Sequence, residues 1–279
     1  MTKIVAVALQ KGGVGKTTTA QHLAHALAMR GRQVLLVDLD PQGSASQRYD
    51  TRNLKGTMAD VLGAEGPPTK SLRDIVIPTY VDNLYLAPAD DQLAASDDRL
   101  ARDLEGPYAL DDKLRGARIP FDYVVVDTAP GKSTLLIAAL VAADEIIVPV
   151  QLSPMGFEGY QGIDKTIMQA RRLQQRAGEV RLRLRAVVPT FYSKGQIASD
   201  SFLAALMESD HPDYEGQPLP LSEPVIETTT FELASSPVDI EGHLRAQTIF
   251  EWPRGADDSP TARGQDAYFA LAEMVDTYA

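Results

Sequence analysis

The sequence predicts an α/β fold, a single domain built on a mostly parallel, twisted sheet with helices on both faces. Three observations carry that expectation. Short apolar runs rich in valine and isoleucine alternate with longer segments of helical period. Each intervening segment is long enough to return the chain for another parallel strand. The 279 residues, 44% of them hydrophobic, can bury one large core.

In chain order, strands are expected at 3–9 (KIVAVAL), 33–39 (QVLLVDL), 83–89 (NLYLAPA), 121–129 (FDYVVVDTA), 145–151 (EIIVPVQ) and 184–190 (LRAVVPT). Helices are expected at about 16–30, 57–63, 90–104, 132–142, 158–177 and 196–208. Nothing repeats at a fixed period. After Glu208 the chain reads as loop-rich, over 209–224 and 251–264, until an amphipathic helix near 262–277 closes it. Neither loop-rich piece has the apolar periodicity for a core of its own, so residues 1–279 are expected to form one domain.

Composition narrows the function classes. The chain has no cysteine, which excludes disulfides, thiolate metal sites and cysteine-held iron–sulfur clusters. No run approaches the roughly 18 apolar residues of a membrane span, and the first strand follows one lysine with no signal-peptide layout, so a cytoplasmic location is expected. Twenty-seven basic against 38 acidic residues give a net charge of −11, so any affinity for nucleic acid needs a local basic patch.

The chemistry concentrates in QKGGVGKT, residues 10–17, which follows a buried strand and opens a helix. It fits the phosphate-loop pattern G-x-x-x-x-G-K-[ST] at Gly15, Lys16 and Thr17 but places Gln10 at the first glycine, followed by a second lysine, Lys11. Gly12, Gly13, Val14, Gly15, Lys16, Thr17 and Thr18 form the expected nucleotide cradle. The glycines admit the phosphates to the backbone, and the N–H groups of the helix start supply positive partial charge. Lys16 reaches the β- and γ-phosphates of ATP or ADP, and the Thr17 hydroxyl ligates Mg²⁺. LLVDLDPQG places Asp38 and Asp40, and YVVVDTAPG places Asp127, at strand ends where open α/β sheets bind ligands. All three carboxylates are metal-site candidates.

KGGVGKTTT, DLDPQGSAS and VVVDTAPG together resemble the deviant phosphate-loop ATPases, and within them the ParA/Soj-type chromosome and plasmid partition ATPases. The resemblance implies that Lys11 reaches across an ATP-bound homodimer to the partner's nucleotide while Lys16 serves its own. It also implies that Asp40 positions the attacking water and Asp38 supports the metal site. VVPTFY (187–192) looks like the strand leading to the adenine pocket, which places Pro189 and Thr190 at the nucleotide. TARGQDAYFALAEMV (261–275) resembles the closing helix, and between 209 and 260 the likeness weakens.

What the resemblance implies for function is an ATP-driven dimerisation switch for DNA segregation. The ATP-bound dimer binds nonspecific double-stranded DNA on the nucleoid, and a ParB-like centromere-binding partner stimulates slow, Mg²⁺-dependent hydrolysis. Where relatives carry DNA-contacting basic residues, this chain offers Lys194 at one place and the acidic EPVIETTTFELASSP at the other. Its dense basic stretch is RRLQQRAGEVRLRLR, 171–185, with Arg171, Arg172, Arg176, Arg181, Arg183 and Arg185. Lys194 and Arg183 rank first as DNA contacts, then Arg171 and Arg172. A solvated helix end followed by an edge strand is the plain alternative. No helix-turn-helix precedes the first strand, so operator-specific repression is not expected.

Other functions of such a fold make demands that can be read in the residues. A MinD-like membrane ATPase needs a basic amphipathic C-terminal helix, and DAYFALAEMVDTYA has no lysine or arginine. A nitrogenase-reductase-like carrier needs cluster cysteines. A small-molecule ligase of the dethiobiotin-synthetase kind stays open as the alternative. His22 and His25, spaced i, i+3 without a third ligand, are expected on a helix surface, and Trp252 in a small loop core or, as the alternative, at a dimer contact.

Overall fold

Seven strands form one sheet in the order β3-β4-β2-β5-β1-β6-β7. The computed structural model describes residues 2–49, 51, 54–64, 66–117, 120–193, 195–207, 220–225, 238–240, 243–245, 247–257 and 259–277. In chain order the elements are β1 (Lys3–Val7), α1 (Lys16–Met29), β2 (Val34–Leu39), α2 (Met58–Leu62), α3 (Leu72–Ile75), β3 (Ile77–Pro78), β4 (Leu84–Ala87), α4 (Leu93–Leu100) and α5 (Ala109–Gly116). They continue with β5 (Tyr123–Thr128), α6 (Thr134–Ala142), β6 (Glu145–Gln151), α7 (Pro154–Arg176), β7 (Arg183–Thr190), α8 (Ile197–Met207), β8 (Val238–Ile240), β9 (His243–Arg245) and α9 (Pro260–Asp276). Every pairing in the large sheet is parallel except β3 with β4, and β8 with β9 make a separate antiparallel pair.

The strands read as unbroken apolar runs because both faces are covered. Alternate residues serve opposite layers. Ile4 and Ala6 of β1 face a core with Val126, Val148, Leu136 and Ile163, under α2 to α7. Val5 and Val7 face a second core with Leu36, Val125, Leu23, Leu27 and Leu271, under α1 and α9.

All six expected strands are present, their ends within two residues of expectation, and every expected helix has a counterpart. The expected helix at 90–104 is shorter, α4 stopping at Leu100, because the chain turns back against it: a Cβ on Gly106 would stand 2.1 Å from the Leu100 carbonyl oxygen. The sequence reading missed α3, α5 and the edge strand β3. It also missed the course of 220–225 along the outer edge of β7. There Ser222 N–H donates to the Val187 carbonyl, Val187 N–H to Pro220 and Val225 N–H to Pro189.

His22 and His25 are not on a helix surface; both are buried. Nδ1 of His22 faces the Thr18 carbonyl at 2.7 Å and Nε2 accepts from Ile249 N–H at 3.0 Å, a pairing that requires the neutral ring protonated at Nδ1. Burial, with Arg48 nearby, lowers its pKa to about 3. His25 pairs with the Thr248 hydroxyl at 2.7 Å, and Tyr268 stacks on His22. The pair therefore joins α1 to the 248–250 turn and α9. Trp252 is half-buried at the end of that turn, its carbonyl accepting from Gln265.

At the N-terminal edge of the sheet the charges pair with one another. Lys3 meets Glu145, Arg115 bridges Asp111 and Asp144, Arg181 bonds Asp111, and Arg30 and Arg32 share Asp276. Among the described residues no helix is long and apolar enough to cross a membrane.

Candidate active site

The site lies at the opposite, C-terminal edge, where β1 ends and α1 begins. Gly15 supplies the turn with φ 86°, a left-handed conformation that favours glycine, and becomes the N-cap of α1. Among the described residues that helix start has no side-chain cap and no acidic residue in its first turn, which leaves its first N–H groups without a side-chain acceptor. Three other helix starts differ, although α4 is likewise uncapped. Ser133, Ser153 and Ser259 cap α6, α7 and α9 by accepting from Leu136, Gly156 and Ala262 N–H. An uncapped helix start beside capped ones is what an anion site needs.

The loop is braced from within. Lys16 Nζ donates to the Lys11 carbonyl at 2.8 Å, Gly131 N–H donates to the Gln10 carbonyl at 2.7 Å, and the Thr190 hydroxyl donates to the Val14 carbonyl at 3.0 Å. Lys16 is buried, which lowers its pKa against the pull of Asp127 and Asp40. Lys11 is half-buried, and its ammonium has no hydrogen bond or ion pair among the described residues. Thr190 and Phe191 lie beside Gly15, at 3.6 and 3.9 Å from where its Cβ would be, and Phe191 holds the rare φ of 56°. Pro189 precedes them, buried at the end of β7.

The three carboxylates stand at the same sheet edge, but no group of three or more among the described residues is placed to hold a metal ion, and their surroundings separate them. Asp38 and Asp127 are register partners on β2 and β5, and Asp127 is also level with Val7 of β1. Asp38 uses both oxygens to shape its own loop. One accepts from Asp40 N–H at 3.1 Å, the other from the Ser46 N–H and hydroxyl, both at 2.7 Å. Burial raises its pKa to about 6 in spite of those bonds. Asp40 accepts from Gln42 N–H at 2.9 Å through one oxygen. Asp127 is fully buried, and among the described residues neither of its oxygens has a hydrogen-bond partner of normal geometry. Burial, then the Asp38 and Asp40 charges, push its pKa well up, while the Thr17 hydroxyl and Lys16 draw it down. An unsatisfied buried carboxylate beside a threonine hydroxyl is a donor set that fits a hard divalent cation.

The basic stretch does not gather at this site. It runs along the last turns of α7 and the start of β7, towards the N-terminal edge. Arg171 donates to the Leu182 carbonyl, Arg181 bonds Asp111, and Arg185 lies 3.7 Å from Glu145. Arg172, Arg176 and Arg183 are exposed. Lys194 and most of EPVIETTTFELASSP lie outside the described residues.

The sequence reading also passed over α7 as part of the site. Gly159 and Gly162 pack on Lys11 and Gln10, and Thr166 accepts a hydrogen bond from Gln10 Nε2. The spacing Gly159, Gly162, Thr166 places all three on one helical face and was the signal available.

A family model described as "AAA domain" matches residues 2–179. The chain is 35% identical to the chromosome partitioning protein ParA of Caulobacter vibrioides over 202 residues, which cover 71% of this chain and 73% of that one. It is 34% identical to the chromosome-partitioning ATPase Soj of Thermus thermophilus over 272 residues, 97% of this chain and 94% of that one. It belongs to the ParA/Soj family of P-loop ATPases. A crystal structure of cobyrinic acid a,c-diamide synthase from Mycobacterium smegmatis, with ADP and magnesium bound, is also similar: TM-score 0.74 and 27% identity, covering 98% of this chain and 93% of that one.

Proposed function

We propose that this protein is an ATP-dependent dimerisation switch in DNA segregation, hydrolysing ATP in a slow, Mg²⁺-dependent reaction. The observation that carries the reading is Lys11, a half-buried lysine whose ammonium is unpaired among the described residues, on the rim of an otherwise complete phosphate cradle. The likeness to Soj along 97% of the chain supports it.

In this reading the α1 start and Lys16 bind the phosphates, Lys16 exchanging the Lys11 carbonyl for phosphate oxygen. Pro189 and Thr190 border the nucleotide. Thr17 and Asp127 hold Mg²⁺, which neutralises charge on the phosphates when bound. Asp38 fixes the loop that carries Asp40, and Asp40 orients the attacking water with its free oxygen. Lys11 approaches the nucleotide of the second subunit, so assembly depends on the γ-phosphate in the manner of an arginine finger. The dimer then binds nonspecific duplex DNA through exposed basic residues such as Arg172, Arg176 and Arg183, and a ParB-like partner stimulates release on the nucleoid.

A second reading is supported by the 27% likeness to the diamide synthase and by a groove of about 470 Å³ beside Gln10, lined by Lys132, Lys165, Thr166 and Asp97. A ligase would seat a carboxylate substrate there. Co-sedimentation with nonspecific duplex DNA separates the two. Retention with ATP, and not with ADP or without nucleotide, supports the switch; no retention in any state refutes it in favour of the ligase.

A further inference from the structure

Lys11 is held tightly at its stem, while its head has no partner among the described residues. Its carbonyl accepts from Lys16 Nζ and the preceding carbonyl accepts from Gly131 N–H. Its Cβ lies against α7, where a Cβ built on Gly159 would stand 3.1 Å from Lys11 Cβ and 3.7 Å from Leu9 Cδ2. One turn on, a Cβ built on Gly162 would lie 3.8 Å from Gln10 Oε1, and one turn further Gln10 Nε2 donates to the buried Thr166 hydroxyl. Three positions on one face of a 23-residue helix thus line the side chains of residues 10 and 11, and two of them are glycine in mid-helix. Glycine there costs about 1 kcal/mol against alanine, a cost that the close approach of Lys11 explains at Gly159, while Gly162 is in ordinary contact with Gln10.

We propose that the Gly159–Gly162–Thr166 face of α7 positions Lys11, fixing the direction in which its ammonium leaves the loop towards the second subunit. This rests on the reading of Lys11 as a lysine acting in trans. A long, flexible side chain delivers a charge across an interface efficiently only if its root is fixed, since misplacement by about 1 Å can cost up to a hundredfold in rate. Gly159 does so by letting α7 press on the Lys11 stem, and Thr166 by holding Gln10, which determines the path of the loop into Lys11. Neither residue touches the nucleotide in this arrangement; both are positioning residues.

The test compares Gly159→Ala, Thr166→Val, Thr166→Ser and Lys11→Ala in the full chain. ATP-dependent dimerisation is read by sedimentation equilibrium, ADP affinity by calorimetry, and turnover by phosphate release. Gly159→Ala and Thr166→Val are expected to weaken the ATP dimer and lower kcat roughly tenfold, with ADP affinity within about twofold of the parent and Thr166→Ser close to the parent. Gly159→Ala should not lose thermal stability in proportion, because alanine favours the helix; should it fail to fold, the Val and Ser pair at 166 decides. Two results overturn the proposal and leave the trans lysine standing: dimerisation and turnover unchanged in both variants while Lys11→Ala loses them, or ADP affinity falling as far as dimerisation. If Lys11→Ala itself dimerises and turns over like the parent, the trans reading falls and the positioning proposal falls with it.

Discussion

The two edges of the sheet treat charge in opposite ways. At the N-terminal edge, Arg115, Arg181, Arg30, Arg32 and Lys3 meet Asp111, Asp144, Asp276 and Glu145 within salt-bridge distance. At the C-terminal edge, Lys16 rests on a backbone carbonyl, Asp127 has no hydrogen bond of normal geometry, and Asp38 is bonded only to neutral donors among the described residues. Buried charge without a partner is costly, so a fold retains it where a ligand completes it. The same contrast shows why a basic stretch is a poor guide to a binding face. Arg181 and Arg185 serve the paired edge, while Arg172 and Arg176 project from it.

The largest expected effect falls on the unpaired edge. Lys16→Ala should reduce nucleotide affinity by at least roughly a hundredfold, measured by calorimetry, while the thermal stability of the ligand-free protein stays level or rises. A matching loss of stability would mean that Lys16 is a structural cation.

Within the basic stretch, Arg181→Glu places a third carboxylate beside Asp111 and Asp144 and should cost about 3 kcal/mol or more in denaturant unfolding. Arg172→Glu should change stability by less than about 0.5 kcal/mol. It should nonetheless weaken ATP-dependent DNA retention and flatten its salt slope by about 0.9 for each phosphate no longer neutralised. Equal stability losses in the two variants would erase the division between paired and projecting arginines.

The pH dependence should differ in sign between the edges. Asp276, with a side chain 7% exposed, has its pKa lowered: burial alone would raise it, but hydrogen bonds from Arg32, Tyr123 and Arg30 outweigh that. Its contribution is present above the ordinary carboxylate pKa near 3.8 and lost as pH falls through the lowered value, and Asp276→Ala should cost about 2 kcal/mol at neutral pH. Asp127 and Asp38 have raised pKa values, so their stabilising protonated forms are lost as pH climbs, for Asp38 between about 4 and about 6. Glu145 is the exception at the paired edge, raised by burial against Lys3 and Arg185.

One further effect follows from that sign. Asp127→Asn should stabilise the ligand-free protein at pH 7 by on the order of 1 kcal/mol, the gain shrinking as pH is lowered, while abolishing stabilisation by Mg²⁺ with nucleotide. Melting curves at pH 5 and pH 7 test it; a destabilised Asn variant at pH 7 would show that the carboxylate has a partner in the ligand-free fold.

The sequence alone determined the six parallel strands of the sheet, because strands buried on both faces must be continuous apolar runs, and it located the phosphate loop, because a strand–glycine–helix junction is a local event. It also brought Asp38, Asp40 and Asp127 together, since parallel strands place their ends at one edge. Tertiary structure decided what pattern and spacing do not encode. His22 and His25 look like surface residues until the 248–250 turn and α9 close over them. Asp38 and Asp127 look alike until Ser46 occupies one and leaves the other unsatisfied. The basic stretch divides only when α5 and the start of β6 bring Asp111, Asp144 and Glu145 to it. For the histidines and the arginines the deciding partner is distant in the chain, and for Asp38 it lies on the following loop, whose path back to the carboxylate exists only in the folded molecule.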